Sequence, residues 1–379
     1  MHGFVRRRLA MILVLPIAAA SCSSCDEGKG KPAASAAPTT SYSSPLPSVS
    51  LTPAVKSTEI GAWPEQTKAL TTGQIDALLP LREGARVQVT DAGLEPRAVR
   101  RHQLEVGQSQ ELLLELDMGM KITQDGATTL PPVPALEVKA KLTTAESEGD
   151  VGRVEIEVVA AEIRSRGDAD ADVVEQIGPY VKRLHGLRAS LQVTAQGVHG
   201  NAPVPPASTP TEVWQLWTTI GEAVTDALVI FPAEPIGAGA KWVVLDRQQR
   251  AGVAMLRKTE WALLDVTDGE LRLRGALVEA AIAGTARDPA LPKEVHLDVL
   301  EGVAVGKRRH ALRAGDLWPL ASLTELSSDL TLRATATDGK FTDTRTSEVA
   351  LTQILRSVRA DVADAGVRLP GAAKEDDTP

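Results

Sequence analysis

Five histidines lie beyond the N-terminal segment, at His102, His185, His199, His296 and His310, and no two are spaced to share a metal ion. No H-E-x-x-H pair occurs, and a scattered histidine is far more often a surface or strand residue than a ligand. Neither a G-x-S-x-G elbow nor an S-x-x-K pair is present, so the local signatures of common serine acyl-transfer enzymes are missing. The best metal candidate is Gly167-Asp168-Ala169-Asp170-Ala171-Asp172, whose alternating carboxylates are spaced like the opening of a calcium loop. Val173 stands where the turn glycine belongs and Pro179 where the bidentate glutamate belongs, which favours a solvated acidic loop ahead of a helix. Trp214 and Trp217 could form a carbohydrate shelf, although core packing is the commoner use of that helical spacing. The basic run Lys307-Arg308-Arg309-His310 reads most simply as a solvated turn. Cys25 sits beside Asp26 and Glu27, whose charges discourage thiolate chemistry. No catalytic residue, no metal ligand and no cofactor is expected, and the chain reads as a non-enzyme.

Composition narrows the classes further. Two cysteines in 379 residues exclude a disulfide framework, a Cys-rich zinc module and an iron–sulfur protein. A net charge of −8, spread along the chain, argues against a nucleic-acid surface. No run of 18 apolar residues is present, so no spanning helix is expected.

The N-terminus carries the most specific signal. Arg6, Arg7 and Arg8 precede a 12-residue apolar stretch at 9–20, the proportions of a secretory signal. The following Ala19-Ala20-Ser21-Cys22 resembles the lipobox of bacterial lipoproteins. That resemblance implies that Ala19, Ala20 and Ser21 are the recognition positions and that the Cys22 sulfur takes the diacylglyceryl group. It also implies acylation, palmitate among the chains, and cleavage that leaves Cys22 at the new N-terminus. Ser23, in place of an Asp, implies passage to the outer membrane, with the body facing the periplasm or the exterior. Loss of residues 1–21 removes three arginines and no acid, leaving 38 basic against 49 acidic side chains and a balance of −11. Anionic head groups would repel such a body, so the membrane is held through the acyl chains, each buried methylene contributing about 0.8 kcal/mol. Of the 28 residues at 31–58, 21 are Ser, Thr, Pro or Ala, so residues 22–58 are expected to be a disordered tether.

The elements beyond the tether are mostly strands. Leu112, Leu114, Leu116, Met118, Met120 and Ile122 alternate with Glu111, Glu115, Asp117 and Lys121, the mark of a strand buried on one face. The same alternation recurs at Leu136-Val138-Ala140-Leu142, Leu187-Ala189-Leu191-Val193 and Leu326-Leu330-Leu332-Ala334 along alternate positions. Asp125-Gly126, Glu148-Gly149-Asp150, Asp268-Gly269 and Asp338-Gly339 mark hairpins. Helices are expected near 173–185 and 210–229, with a third near 64–79. The second should start at a Thr209-Pro210-Thr211-Glu212 capping box and bury Val213, Leu216, Trp217, Ile220, Val224 and Leu228. The expected fold is mainly β (α+β): curved antiparallel sheets with two or three amphipathic helices packed on the apolar face. Two related β-rich halves are expected, at 59–235 and 236–357, followed by a disordered acidic tail at 358–379.

Between the halves lies Phe231-Pro232-Ala233-Glu234-Pro235-Ile236-Gly237-Ala238-Gly239-Ala240-Lys241-Trp242. This F-P-x-x-P-I-G-x-G-x-x-W string resembles one in an uncharacterised periplasmic β-rich family of unknown function. The resemblance covers about 80–355 in layout and implies an envelope domain with no catalytic residues to carry over. A phosphate loop is excluded, because Trp242 holds the third glycine position and a helix precedes the motif. The function expected is a non-catalytic envelope lipoprotein acting as a binding or structural module toward an envelope protein, a polymer or an apolar ligand. The alternative is a carrier of an apolar lipid or lipoprotein ligand on a curved sheet. A concave face filled by helices favours the first, and an open apolar channel the second.

Overall fold

The period-2 runs become long antiparallel strands in a computed structural model of the chain. It describes residues 59–363 apart from 65–67, 81–82, 132, 134, 165–170, 201, 251, 287–293 and 339–340. Ala19, Ala20, Ser21, Cys22, the tether, Asp168 and Asp170 of the acidic loop, and the tail beyond 363 lie outside the described residues. The first part of the chain forms α1 (Thr72–Leu78), β1 (Ala85–Asp91), β2 (Ser109–Gln124), β3 (Ala127–Thr129), β4 (Ala135–Glu148) and β5 (Val151–Arg164). Next come α2 (Ala171–Lys182), β6 (Arg188–Thr194) and α3 (Thr211–Asp226). The remainder is β7 (Lys241–Arg250), β8 (Val253–Thr267), β9 (Glu270–Ala281), β10 (Gly284–Thr285), β11 (Val295–Arg313), β12 (Ala321–Asp338), β13 (Phe341–Arg359) and α4 (Ala360–Ala363). The last long strand thus runs on to Arg359, two residues past the expected end of the second half, and a short helix follows it.

All the strands join one 13-stranded sheet in the order β1-β7-β8-β9-β11-β12-β13-β2-β4-β5-β6, with β3 and β10 as short additions to β2 and β11. The strands from 241–359 therefore sit between β1 and β2, and one hydrogen-bonded sheet passes through both stretches that the sequence divides. The Asp-Gly hairpins behave as their residues require: Asp125 and Asp268 have φ of 51°, and each is followed by a glycine at φ 78°. Bulges at Val89/Asp91, Thr144/Glu146, Leu263/Asp265 and Val299/Glu301 add local twist and bend to the ladders.

The apolar column of β2 meets the helix that was expected to cover it. Leu112, Leu114 and Leu116 share one buried cluster with Val213, Leu216, Trp217, Ile220, Val224 and Leu228 of α3 and the turn after it, and with Ile177, Val181 and Leu184 of the α2 region. The rest of the stripe diverges: Ile122 joins a second cluster with Val299, Leu330 and Leu351, and Met118 and Met120 are half-buried between the two. Trp217 is fully buried, and its indole N–H donates to the Pro203 carbonyl at 2.6 Å.

Two helix starts differ from expectation. Pro210 is itself the N-cap of α3 and makes no side-chain cap bond; the Trp214 N–H closes the first turn onto the Pro210 carbonyl at 2.8 Å. Proline fixes φ but brings no oxygen to cap with. The reciprocal capping box belongs to α1, where Thr71 and Gln74 each bond the other's backbone N–H.

Candidate functional site

The face of the sheet that bears the helices carries a buried charged floor at the end of α3. In β7, Asp246, Gln248 and Arg250 point to the same side as Val244, and their register neighbours in β8 are Arg257, Met255 and Val253. Arg257 is paired in turn with Glu279 of β9. The row Asp246–Arg257–Glu279 thus crosses three adjacent strands with alternating charge, an arrangement that suits opposite charges on neighbouring strands. Arg308 and His310 enter the same face from β11, opposite Gly275 and Leu273.

Asp226, the last residue of α3, is the hub. Its carboxylate accepts from Arg250 Nη1 at 2.8 Å, Arg257 Nη1 at 2.7 Å and Arg308 Nη2 at 2.6 Å. Arg250 also forks onto Glu279, at 2.8 and 3.3 Å, and stands 3.9 Å from Glu222 one helical turn before the hub. Arg257 forks onto Asp246 at 2.9 and 2.5 Å, and Gln248 donates to the same carboxylate at 2.6 Å. None of Asp226, Asp246, Arg250, Arg257, Glu279 and Arg308 is more than 2% exposed.

Burial alone would push the Asp226 pKa up, but the guanidiniums of Arg250, Arg308 and Arg257 overcome it and hold the carboxyl well below the usual carboxylate range. Burial works against the charge of Arg250 and Arg257 too, and their carboxylate partners raise both above the ordinary arginine value. Arg308 is the weak member. Burial and the neighbouring Arg257 and Arg250 push it down to about 10, with Asp226 as the chief opposing influence. Its Nε has no hydrogen-bond partner among the described residues, and neither ring nitrogen of His310 has one. His310 is packed edge-on against Trp261 at 5.1 Å, and burial drives its pKa down to about 3, so it is neutral near pH 7. His199 is likewise held neutral by burial, with its Nε2 3.3 Å from Gln248 Nε2.

The basic run at 307–310 is therefore no solvated turn. It lies within β11, with Arg308 and His310 in the core and Lys307 and Arg309 on the opposite face. His102, His199 and His310 are all buried rather than at the surface, each in a different segment. His102 is fixed between two loops, Nδ1 at 2.8 Å from the Asp316 carbonyl and Nε2 at 2.9 Å from the Val229 carbonyl. His185 is exposed, with Nδ1 2.6 Å from the Val159 carbonyl, and His296 is exposed on β11. Among the described residues no group of His, Cys, Asp and Glu is placed to hold a metal ion.

The chemistry of this floor is cohesion. Three guanidiniums and four carboxylates, counting Glu222, are brought together, and the principal donors are spent on one another. The inward column Leu271, Leu273, Gly275, Leu277, Glu279 carried a readable sign of the network, an acid at the apolar parity of a strand.

The string 231–242 leads into β7 beside the β1 edge of the sheet. Trp242 donates its indole N–H to the Ile230 carbonyl at 2.9 Å, and Ile236 pairs with Ala98. Only glycine fits at Gly237, where a Cβ would stand 1.8 Å from the Leu94 carbonyl oxygen. The segment after β6 bridges the two sheet edges: His199 pairs with Val193 of β6, and Val198 packs with Ala85 and Val87 of β1. At this end a cleft of about 480 Å³ lies between residues 99–103 and Phe231, Leu271, Leu312, Ala314 and Gly315.

No family model matches the chain, and no curated protein matches it. Among solved structures, the outer membrane protein OprG from Pseudomonas aeruginosa aligns at 7% identity and a TM-score of 0.19, over 68% of this chain and 98% of that one. A mutant of the Rh. blastica porin aligns at 10% identity and 0.19, over 66% and 100%. Scores this low carry no argument about fold or function. The outer face of the sheet is braced by exposed cross-strand ion pairs, among them Lys139–Glu111 at 2.8 Å, Arg188–Glu157 at 3.0 Å and Arg356–Glu115 at 3.1 Å. A transmembrane barrel presents an apolar band at that face.

Proposed function

We propose that the chain is a lipoprotein of the cell envelope, anchored through an acylated Cys22 to the outer membrane, whose body is a non-catalytic binding or structural module in the periplasm. The observation that carries the module reading is the packing of α3 over one face of the sheet. α3 buries Val213, Leu216, Trp217, Ile220 and Val224 against the sheet, and three buried arginines clasp its last residue. A carrier of lipid on that face would need the volume that α3 occupies and an apolar floor where this chain has charges. The anchor reading is supported by the arginines, apolar stretch and small residues before Cys22, the only thiol at that position.

Metabolic labelling with palmitate tests the anchor. The native chain should take label and Cys22→Ser should take none, while Cys25→Ser labels normally. Undiminished labelling of Cys22→Ser would overturn the assignment.

A further inference from the structure

The face of the sheet turned away from α3 is uneven in charge. Across β2, β4, β5 and β13 its cations are matched by acids on the neighbouring strand, as in Lys139–Glu111, Arg164–Glu137 and Arg356–Glu115. On β9 and β11 the pattern changes. Arg274 stands directly opposite Arg309, with Arg272 opposite Ala311, Lys307 opposite Ala276 and Arg313 opposite Glu270. The residues that alternate with them, Leu271, Leu273, Arg308, His310 and Leu312, are buried, so these five cations share the other face.

Among the described residues none of Arg274, Lys307, Arg309 and Arg313 is in an ion pair. Arg272 has one loose contact, to Glu270 at 3.4 Å, and Glu260 of β8 is taken by Lys258 at 2.7 Å. Asp265 and Glu325 stand opposite Arg272 and Lys307 in register, and neither forms an ion pair among the described residues. Like charges directly opposed on adjacent strands are unfavourable, and an anion laid across Arg274 and Arg309 relieves them. Guanidinium matches phosphate oxygens well.

The strip is an open surface: Arg272, Arg274, Lys307 and Arg313 are exposed and Arg309 is half-buried. Leu264, the extra residue of the bulge between Leu263 and Asp265, stands 51% exposed on one side of it, and Val305 is 58% exposed on the other. Cations flanked by exposed apolar side chains suit an anionic bilayer, where each cation near the surface tightens binding about fivefold. Under the anchor reading, the tether expected at 22–58 reaches about 35 Å as a coil, which keeps the body beside such a surface.

We propose that this strip docks the body on an anionic membrane, with lipid phosphates bridging Arg274 and Arg309 and Leu264 entering the interface. A body with a mature balance of −11 is repelled elsewhere, so the strip sets which side meets the bilayer. The choice of a bilayer rests on the anchor reading, and a chain without acyl groups separates the two in the test.

Residues 22–379 carrying Cys22→Ser are sedimented with vesicles of phosphatidylcholine, alone or with about 30% phosphatidylglycerol. At about 0.1 M salt the anionic vesicles should bind at least about tenfold more tightly than the neutral ones, and about 0.5 M salt should release the chain. Arg309→Glu should weaken binding to anionic vesicles at least about tenfold. The same change should raise the urea midpoint, because an acid then faces Arg274, so binding and stability move in opposite directions. Lys121→Glu, the same charge change at an exposed position of β2, should alter binding less than about twofold. The proposal is overturned if anionic vesicles bind no better than neutral ones, or if salt does not release the chain. It is overturned equally if Arg309→Glu binds unchanged, if its lost binding comes with a lowered urea midpoint, or if Lys121→Glu loses as much. Failure of palmitate labelling at Cys22 would overturn the anchor and leave the vesicle result standing.

Discussion

Replacing Asp226 by asparagine removes one charge from the hub and keeps its shape. Arg250 retains its fork to Glu279, and Arg257 retains its fork to Asp246. Arg308 retains no ion pair, because Asp226 is the carboxylate its Nη2 reaches and it is 1% exposed. Stranding a buried charge in this way costs about 3–5 kcal/mol. The weakened bonds from Arg250 and Arg257 add to that, while relief of the crowding between acids subtracts, so about 4 kcal/mol is expected. Set against a typical total of roughly 5–15 kcal/mol, the loss should be plain in urea unfolding as a lower midpoint at unchanged slope. Arg308→Met removes the stranded charge instead and should cost about 1–2 kcal/mol, since an apolar side chain replaces a guanidinium with an unpartnered Nε. The double variant should then be at least about 2 kcal/mol more stable than the sum of the single losses implies. A loss below about 1 kcal/mol for Asp226→Asn, or strict additivity in the double variant, would refute the hub.

Two further outcomes follow from the same core. His310 has a folded pKa of about 3 against roughly 6.5 when unfolded, so the unfolded chain takes up a proton that the folded chain refuses. The stability it contributes is complete above pH 6.5 and is lost toward pH 3; between pH 7 and 5 the loss should be about 2 kcal/mol, largely absent in His310→Phe, and a stability flat over that range would contradict it. Leu116→Asp should unfold the body, because the site is fully buried under α3 and offers a carboxylate no partner; a folded variant with normal melting would mean that the face is open.

Much of the sheet was legible because half-buried strands repeat every second residue. Leu112-Leu114-Leu116 and Leu136-Val138-Ala140-Leu142 are buried at the parity that their alternation implied, and the α3 stripe covers the first of them. The charged floor was not legible, for particular physical reasons. In Lys307-Arg308-Arg309-His310 every residue is polar, so the alternation that puts Arg308 and His310 inside carries no hydropathy signal. Asp226 stands at the C-terminal end of a helix, where the dipole disfavours an acid, and only three arginines from β7, β8 and β11 reverse that preference. Those three are separated by up to 58 positions, from Arg250 to Arg308, and meet through strand pairing alone.

The central claim is that α3 is a fixed part of the core and not a lid over a channel. Native-state hydrogen exchange at the α3 amides from Ile220 to Asp226 tests it most directly. If α3 is core, these amides exchange only through global unfolding, with the free energy and urea dependence of the whole body. Exchange through a local opening several kcal/mol cheaper, with little urea dependence, would show a helix that lifts from the sheet and would contradict the account.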